Sequence, residues 1–412
     1  MDTLHALEVR PPEVREAALL AALPEQIAHA QRHAAGYAQL LAGIDARAVT
    51  SRAALARLPV TRKSDLHRLQ QAIPPFGGLN ATATGELARV YMSPGPIFDP
   101  EGRASDWWRM ARPLYAAGFR PGDLLQNCFS YHFTPAASMI EGGAQALGCA
   151  VIPAGTGQTE MQVQAMALLR PRGYVGTPSF LKIILEKAAE MQADVSGTRI
   201  ALVAAEALPP SLRQWLLAHG MERVLQTYAS ADLGNIAYES EAMEGLIVDE
   251  DLLVEIVQPG SGDPVAEGEV GEVLVTKFDR HYPLIRFATG DLSAVLPGIS
   301  PCGRTNMRIR GWMGRADQTI KVKGMFVHPH QLAEVQRRHP EIARARLVVD
   351  NPGNVDRMTL NCEVRAPQAE GLAARIADSL RDVTKLRGEV RLCEPGTLPA
   401  DGKVIEDAKK YD

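Results

Sequence analysis

The order of apolar runs predicts an α/β protein with mostly parallel sheets. Between Leu124 and His219, short β-branched runs alternate with helical stretches, which is the signature of strand–helix repeats. Over Leu252–Phe278 the pattern changes, with apolar and polar residues alternating around turns at Pro259–Asp263 and Gly268–Gly271. That alternation predicts an antiparallel, β-barrel-like region. The third observation is size, because 412 residues exceed one ordinary core and suit two domains. The expectation is a large N-terminal domain, 1–313, joined near Gly314–Asp317 to a small α+β C-terminal domain, 314–412.

Each element has its own reason. The chain up to about Leu69 is rich in Ala, Leu and Arg and reads as helices interrupted by Pro24 and Pro59. Leu124–Cys128 and Leu147–Pro153 read as strands, followed by a helix over Thr159–Leu169. Thr159 stands three residues before Gln162, the spacing of a capping box. Gly173–Val175 is a strand, and Thr177 before Pro178 marks a capped start for a helix over Ser179–Met191. A strand over Arg199–Ala204 and a helix over Leu212–His219 complete the repeats. Beyond Gly314 the order reads strand, helix, strand, helix, strand, with core segments at Ala345–Val349 and Leu360–Val364.

Composition excludes several classes. A formal charge of -4 leaves no basic footprint for nucleic acid and no polybasic membrane patch. The longest apolar runs, such as Ile200–Ala205, fall far short of the roughly 20 residues that cross a bilayer. Met1–Arg10 carries acids and lacks the apolar run of a secretory signal. The five cysteines are odd in number and widely spaced, which is neither a disulfide framework nor a zinc spacing. A cytoplasmic enzyme with reduced thiols is expected.

Four segments carry chemistry. Gln226–Asp232 reads Gln-Thr-Tyr-Ala-Ser-Ala-Asp, and Tyr282–Asp291 ends in Thr-Gly-Asp. Gly314-Arg315-Ala316-Asp317 leads into Lys321-Val322-Lys323-Gly324, and Asp401-Gly402-Lys403 lies near the C-terminus. Each alone is a common turn or loop; their order and spacing together are specific. With Leu58–Leu66, Gly118–Asp123, Gly155–Gln162 and Cys302–Thr305, the chain resembles the phenylacetate–CoA ligase branch of the adenylate-forming superfamily.

The resemblance implies an ATP-dependent ligase that makes an acyl-adenylate and passes the acyl group to coenzyme A, with Mg2+ as metal cofactor. It implies that Asp291 holds the ribose hydroxyls, that Tyr228 covers the adenine opposite Ala205, Glu206 and Ala207, and that Arg315 reaches the ribose or phosphate. Asp232 would be the metal-binding acid. Lys403 would be the catalytic lysine that steadies charge on the phosphorus as pyrophosphate leaves. The resemblance also implies that the C-terminal domain is mobile: Asp317 matches its hinge, and Lys323 and Gly324 the loop presented for thioester formation. An acid pocket would draw on Tyr131, His132 and Phe133 with Ala229, Ser230 and Ala231, its aromatic stretch suiting an aryl or arylacetic acid. A homodimer is also in keeping with the family.

The chain departs from this pattern at the phosphate loop. Where the family has a Ser/Thr/Gly-rich loop, Tyr91–Gly102 contains Pro94, Pro96 and Pro100, which have no N–H to offer, and the acids Asp99 and Glu101. Three readings stay open. Lys63 or Arg residues elsewhere hold pyrophosphate beside a redesigned loop that includes Ser93 and Gly95; or the protein mainly runs the thioester step; or it binds nucleotide without turnover. An amino-acid substrate or a carrier-protein thiol would preserve the same motifs. Gly155–Glu160 imitates a dinucleotide fingerprint but lacks its third glycine and is expected as a strand-to-helix turn. His328 and His330 are expected as solvated loop residues.

Overall fold

Strand–helix repeats become one nine-stranded sheet in a computed structural model that describes residues 2–257, 262–316, 319–364, 371–399 and 404–410. The chain divides into two units, Met1–Met313 and Gly314–Asp412. In the first, Ala150–Pro153, Leu124–Asn127, Gly173–Gly176, Ile200–Val203 and Arg223–Ser230 pair in parallel. Gly234–Tyr238, Leu246–Val248, Arg308–Ile309 and Val295–Leu296 extend the sheet with antiparallel pairs. Along Ile200–Val203, Ile200 and Leu202 join one apolar cluster while Ala201 and Val203 join another. The strand is therefore buried on both faces, which explains its unbroken apolar run.

The Leu252–Phe278 region is an open four-stranded sheet in the order Thr61–Arg62, Phe287–Ser293, Gly271–Lys277, Leu252–Val257. Among the described residues no closed barrel forms. Thr61–Arg62 runs parallel to Phe287–Ala288, so two distant segments share one edge. Arg286 rivets this corner at a positive φ of 43°. Its guanidinium donates to the carbonyls of Ala56 at 2.8 Å, Leu58 at 2.7 Å and Gly262 at 2.6 Å, and to Glu255 at 3.1 Å.

Local chemistry explains where expectation and structure part. Thr177 caps the helix Pro178–Glu190, accepting the Phe180 N–H at 3.3 Å. Thr159 does not cap its helix: Gln158 is the cap residue, with φ 51°, and Thr159–Leu169 begins after it. Gln162 is buried instead, donating to the Gly155 carbonyl at 3.0 Å, which ties down the turn that follows the strand. Pro24 lies inside the helix Pro12–His33 without ending it. Leu147 closes the helix Ala136–Leu147, which Gly148 ends in the left-handed region at φ 84°, and the strand starts only at Ala150.

In the second unit two hairpins stand where single strands were expected, and the last two strands join its sheet in parallel. Ile320–Val322 pairs with Met325–Val327. Glu389–Cys393, Arg357–Val364, Ile342–Asp350 and Ile405–Asp407 form a four-stranded sheet. The helices Pro329–Arg338 and Leu372–Thr384 contribute Leu332, Val335, Ile376 and Leu380 to a core of its own with Leu347, Val349 and Leu360. His328 is the cap residue of the first helix rather than a loop residue, and its Nδ1 lies 3.1 Å from Thr319 Oγ1.

Candidate active site

Asp232 occupies the turn between Arg223–Ser230 and Gly234–Tyr238, and the turn is held from beneath. Ser230 Oγ accepts the Leu233 N–H at 3.2 Å. Arg109 donates to the carbonyls of Leu233 and, at 3.1 Å, Asn235. The Asn235 amide donates to buried Asp249 at 3.0 Å, and Arg112 donates to the same acid at 2.8 Å. Gly234 has φ 77°, and a Cβ there would stand 2.7 Å from the Trp108 carbonyl. Only glycine fits that approach.

Asp291 sits on Phe287–Ser293 and faces the same space. Its Oδ2 accepts the Tyr228 hydroxyl at 2.8 Å, and its Oδ1 accepts the Trp312 indole N–H at 3.0 Å. The parallel pairing of Thr61–Arg62 with this strand delivers Lys63 beside it, and the Lys63 ammonium donates to Asp232 Oδ2. Burial pulls the Lys63 pKa down, but the charges of Asp232, Asp99 and Asp291 together hold it above the ordinary lysine value. Tyr228, Asp232, Asp291 and Lys63, drawn from three distant segments, therefore meet.

The proline-rich segment is a β-hairpin. Arg89–Ser93 pairs with Ile97–Glu101, so Ser93 and Gly95 lie at its turn. Its acids do not face outward as a repelling pair. Glu101 accepts the Tyr91 hydroxyl at 2.7 Å and Arg89 at 3.0 Å. Asp99 is fully buried; Ser93 lies close enough to favour its charge slightly, yet neither carboxyl oxygen has a partner at hydrogen-bond geometry. Burial first, and the Asp232 charge second, push the Asp99 pKa up to about 8.

A proton held this way stabilises the fold fully below the ordinary value of 3.8 and is lost as pH rises through about 8. Asp99→Asn, which never ionises, should therefore gain thermal stability over the wild type as pH climbs from about 5 to about 9, by on the order of a few kcal/mol. Melting curves across that range check it. A gap between the two proteins that stays constant with pH would show that Asp99 is not the titrating group.

Sequence reasoning missed Lys277 and Trp312. Lys277 is buried with its ammonium 3.5 Å from the Trp107 ring centre, and burial lowers its pKa to about 7. It follows Thr276 after the apolar run Val273-Leu274-Val275, a sequence that gives no hint of a charge turned inward. Trp312 could only have been found by knowing that its indole returns to Asp291.

Other expected residues fall outside this cluster. Ala205 has φ 69°, and exposed Glu206 accepts the Ser179 hydroxyl at 2.5 Å, with Ala207 half-buried beyond it. Tyr131, His132 and Phe133 lie exposed on the surface of the first unit, Phe133 with φ 62°. They do not form an enclosed aromatic wall there. Tyr131 donates instead to Glu141 at 2.7 Å. Ala229 is half-buried against the main core, and Ala231 begins the turn at Asp232. In the second unit, Lys323 and Gly324 form the two-residue turn of the Ile320–Val327 hairpin, and the Arg315 guanidinium stands 5.8 Å from the Phe326 ring centre. Asp317 and Lys403 lie outside the described residues.

The surroundings of Asp232 do not fit a metal ligand. Lys63 takes its Oδ2, and its Oδ1 is enclosed without a partner. Among the described residues no group of three His, Cys, Asp or Glu is arranged to hold a metal ion.

The parallel sheet, the open antiparallel sheet and the separate α+β unit are the architecture of an adenylate-forming enzyme. The AMP-binding enzyme model matches residues 105–278, and the model of the AMP-binding enzyme C-terminal domain matches 324–407. Both matches are to AMP-binding enzymes, and the sequence relatives found are phenylacetate-coenzyme A ligases. The chain is 29% identical to the phenylacetate-coenzyme A ligase of Thermus thermophilus, across 95% of each chain. The Escherichia coli phenylacetate-coenzyme A ligase is 28% identical over 85% of this chain and 84% of its own. A solved 2-hydroxyisobutyryl-CoA ligase, in complex with 2-HIB-AMP and CoA, shares the fold with a TM-score of 0.85 at 24% identity, covering 98% of this chain and 92% of that one.

Proposed function

We propose that this chain joins a carboxylic acid to coenzyme A at the expense of ATP, through an acyl-adenylate. The observation that carries the reading is the Tyr228–Asp291 pair beside Lys63: an aromatic ring, a carboxylate with two acceptor oxygens and a cation, spaced by adjoining strands. These groups suit adenine, ribose hydroxyls and phosphate in turn. The acid's oxygen attacks the α-phosphorus and pyrophosphate leaves; the thiol then attacks the acyl carbon and AMP leaves. Lys403 is assigned the charge that grows in the first step, and Asp317 the hinge that lets the Lys323–Gly324 turn serve the second. Arg315 is assigned to the ribose or phosphate, and Ala205, Glu206 and Ala207 to the far side of the adenine.

The acid is assigned to the aryl or arylacetic class, since the similar enzymes from Thermus thermophilus and Escherichia coli are named for phenylacetate. Tyr131, His132, Phe133 and Ala229–Ala231 would receive it. A cytoplasmic location goes with five free cysteines, three of them buried, and a homodimer with the family. No helix among the described residues is long and apolar enough to cross a membrane.

The hairpin at Arg89–Glu101 favours a second reading, in which nucleotide binds but adenylation is weak, because its prolines remove donors from the phosphate side. Release of AMP and pyrophosphate from MgATP, measured over aryl, aliphatic and amino acids with and without coenzyme A, separates the two. Release that requires an aryl acid is expected. No release with any acid, while AMP still binds, would replace the ligase by the nucleotide-binding reading.

A further inference from the structure

The relation between Lys63 and Asp232 is lopsided. The Asp232 side chain is 1% exposed, whereas that of Lys63 is 23% exposed. Anything approaching from the open side meets the ammonium, and the carboxylate stands behind it. Behind Asp232 lies a buried polar layer. Its own Oδ1, both Asp99 oxygens, Lys277 Nζ and Tyr282 Oη are all buried without hydrogen-bond partners. The Asp232 charge acts on Asp99, Lys277 and Tyr282, which locates these groups around it.

A hard divalent ion needs several oxygens around one point and usually keeps water in its shell. The one Asp232 oxygen on the open side is already engaged by Lys63, and the other is sealed. A metal placed on Oδ2 would also stand against a fixed positive charge, and that repulsion is strong where water is excluded.

We propose that Lys63 is the resident cation of Asp232, standing where a divalent metal would have to bind. Its ammonium has three protons and gives one to Asp232, leaving two to point at the phosphate of a bound nucleotide. Asp232 is then a positioning residue that aims Lys63, and any Mg2+ in the reaction arrives on the phosphates of ATP and not on the protein. The inference rests on the nucleotide-site reading above, but it is tested without turnover.

The test is Mn2+ titration of the whole chain, followed by electron paramagnetic resonance, alone and with AMP. The wild type and Asp232→Asn should leave the free Mn2+ signal equally intact. Lys63→Met removes the cation and leaves Asp232 and Asp99 facing one another, so it should take up about one equivalent of Mn2+ that Lys63→Met/Asp232→Asn does not. A wild type that binds one Mn2+ and loses it on Asp232→Asn would overturn the proposal. So would a folded Lys63→Met that gains none. Circular dichroism checks folding; if the Met variant fails to fold, Lys63→Gln takes its place, and the wild-type comparison with Asp232→Asn decides alone. Because neither arm measures AMP release, a failed ligase assay and a failed metal test remain separate results.

Discussion

Asp291→Ala should weaken AMP binding by about a hundredfold or more while leaving the first unit folded. Two hydrogen bonds to a charged carboxylate are lost, each contributing on the order of 1.5–3 kcal/mol. The same oxygens now hold Tyr228 and Trp312, so truncation also frees the ring that would cover the base. Calorimetric titration with AMP and with ATP checks it, and both nucleotides should weaken by the same factor. Unchanged affinity would take Asp291 out of the site. A loss for ATP alone would move it to the phosphate side.

Lys403→Ala should lower adenylate formation by about 10²–10³-fold, the usual effect of removing one charge stabiliser from a transition state. AMP affinity should stay close to the wild-type value, because the lysine is assigned to charge that appears only as the bond breaks. The thioester step, supplied with a synthetic acyl-AMP and coenzyme A, should proceed at the wild-type rate. Rapid-quench measurement of each half-reaction separates these outcomes. Equal losses in both would refute the division of labour between Lys403 and the Lys323–Gly324 turn.

Much of the fold could be read from the chain because local signals agreed with tertiary needs. The capped start at Thr177–Pro178 is an example: the cap residue and the proline at the first helical position both match the observed helix. Where they diverged, a long-range demand had won. Thr159 lost its capping role because Gln162 is drawn inward to satisfy carbonyls of the preceding turn. Pro24 passes unnoticed within a helix whose neighbouring residues Leu23 and Ile27 are anchored in the core.

At the site, motif order led to Tyr228, Asp232, Asp291 and Lys63, but not to their partnerships. The bond between Lys63 and Asp232 spans 169 positions of sequence, and no periodicity reports such a contact. Asp99 and Lys277 sit on strands whose alternation says only which side a residue faces, not that this side holds another charge. Asp99 looked like an obstacle to phosphate because its solvent exposure could not be known.

The Arg286 corner has a consequence for how nucleotides are measured. Asp291, proposed for the ribose, lies on one strand, and Lys63, proposed for the phosphate, directly follows the strand paired with it; one guanidinium clamps the chain leading to Lys63 onto the chain leading to Asp291. Their separation is a gauge length set by the backbone. A flexible glycine loop can wrap phosphates of varied reach, whereas a caliper with fixed jaws accepts one span from sugar to phosphate.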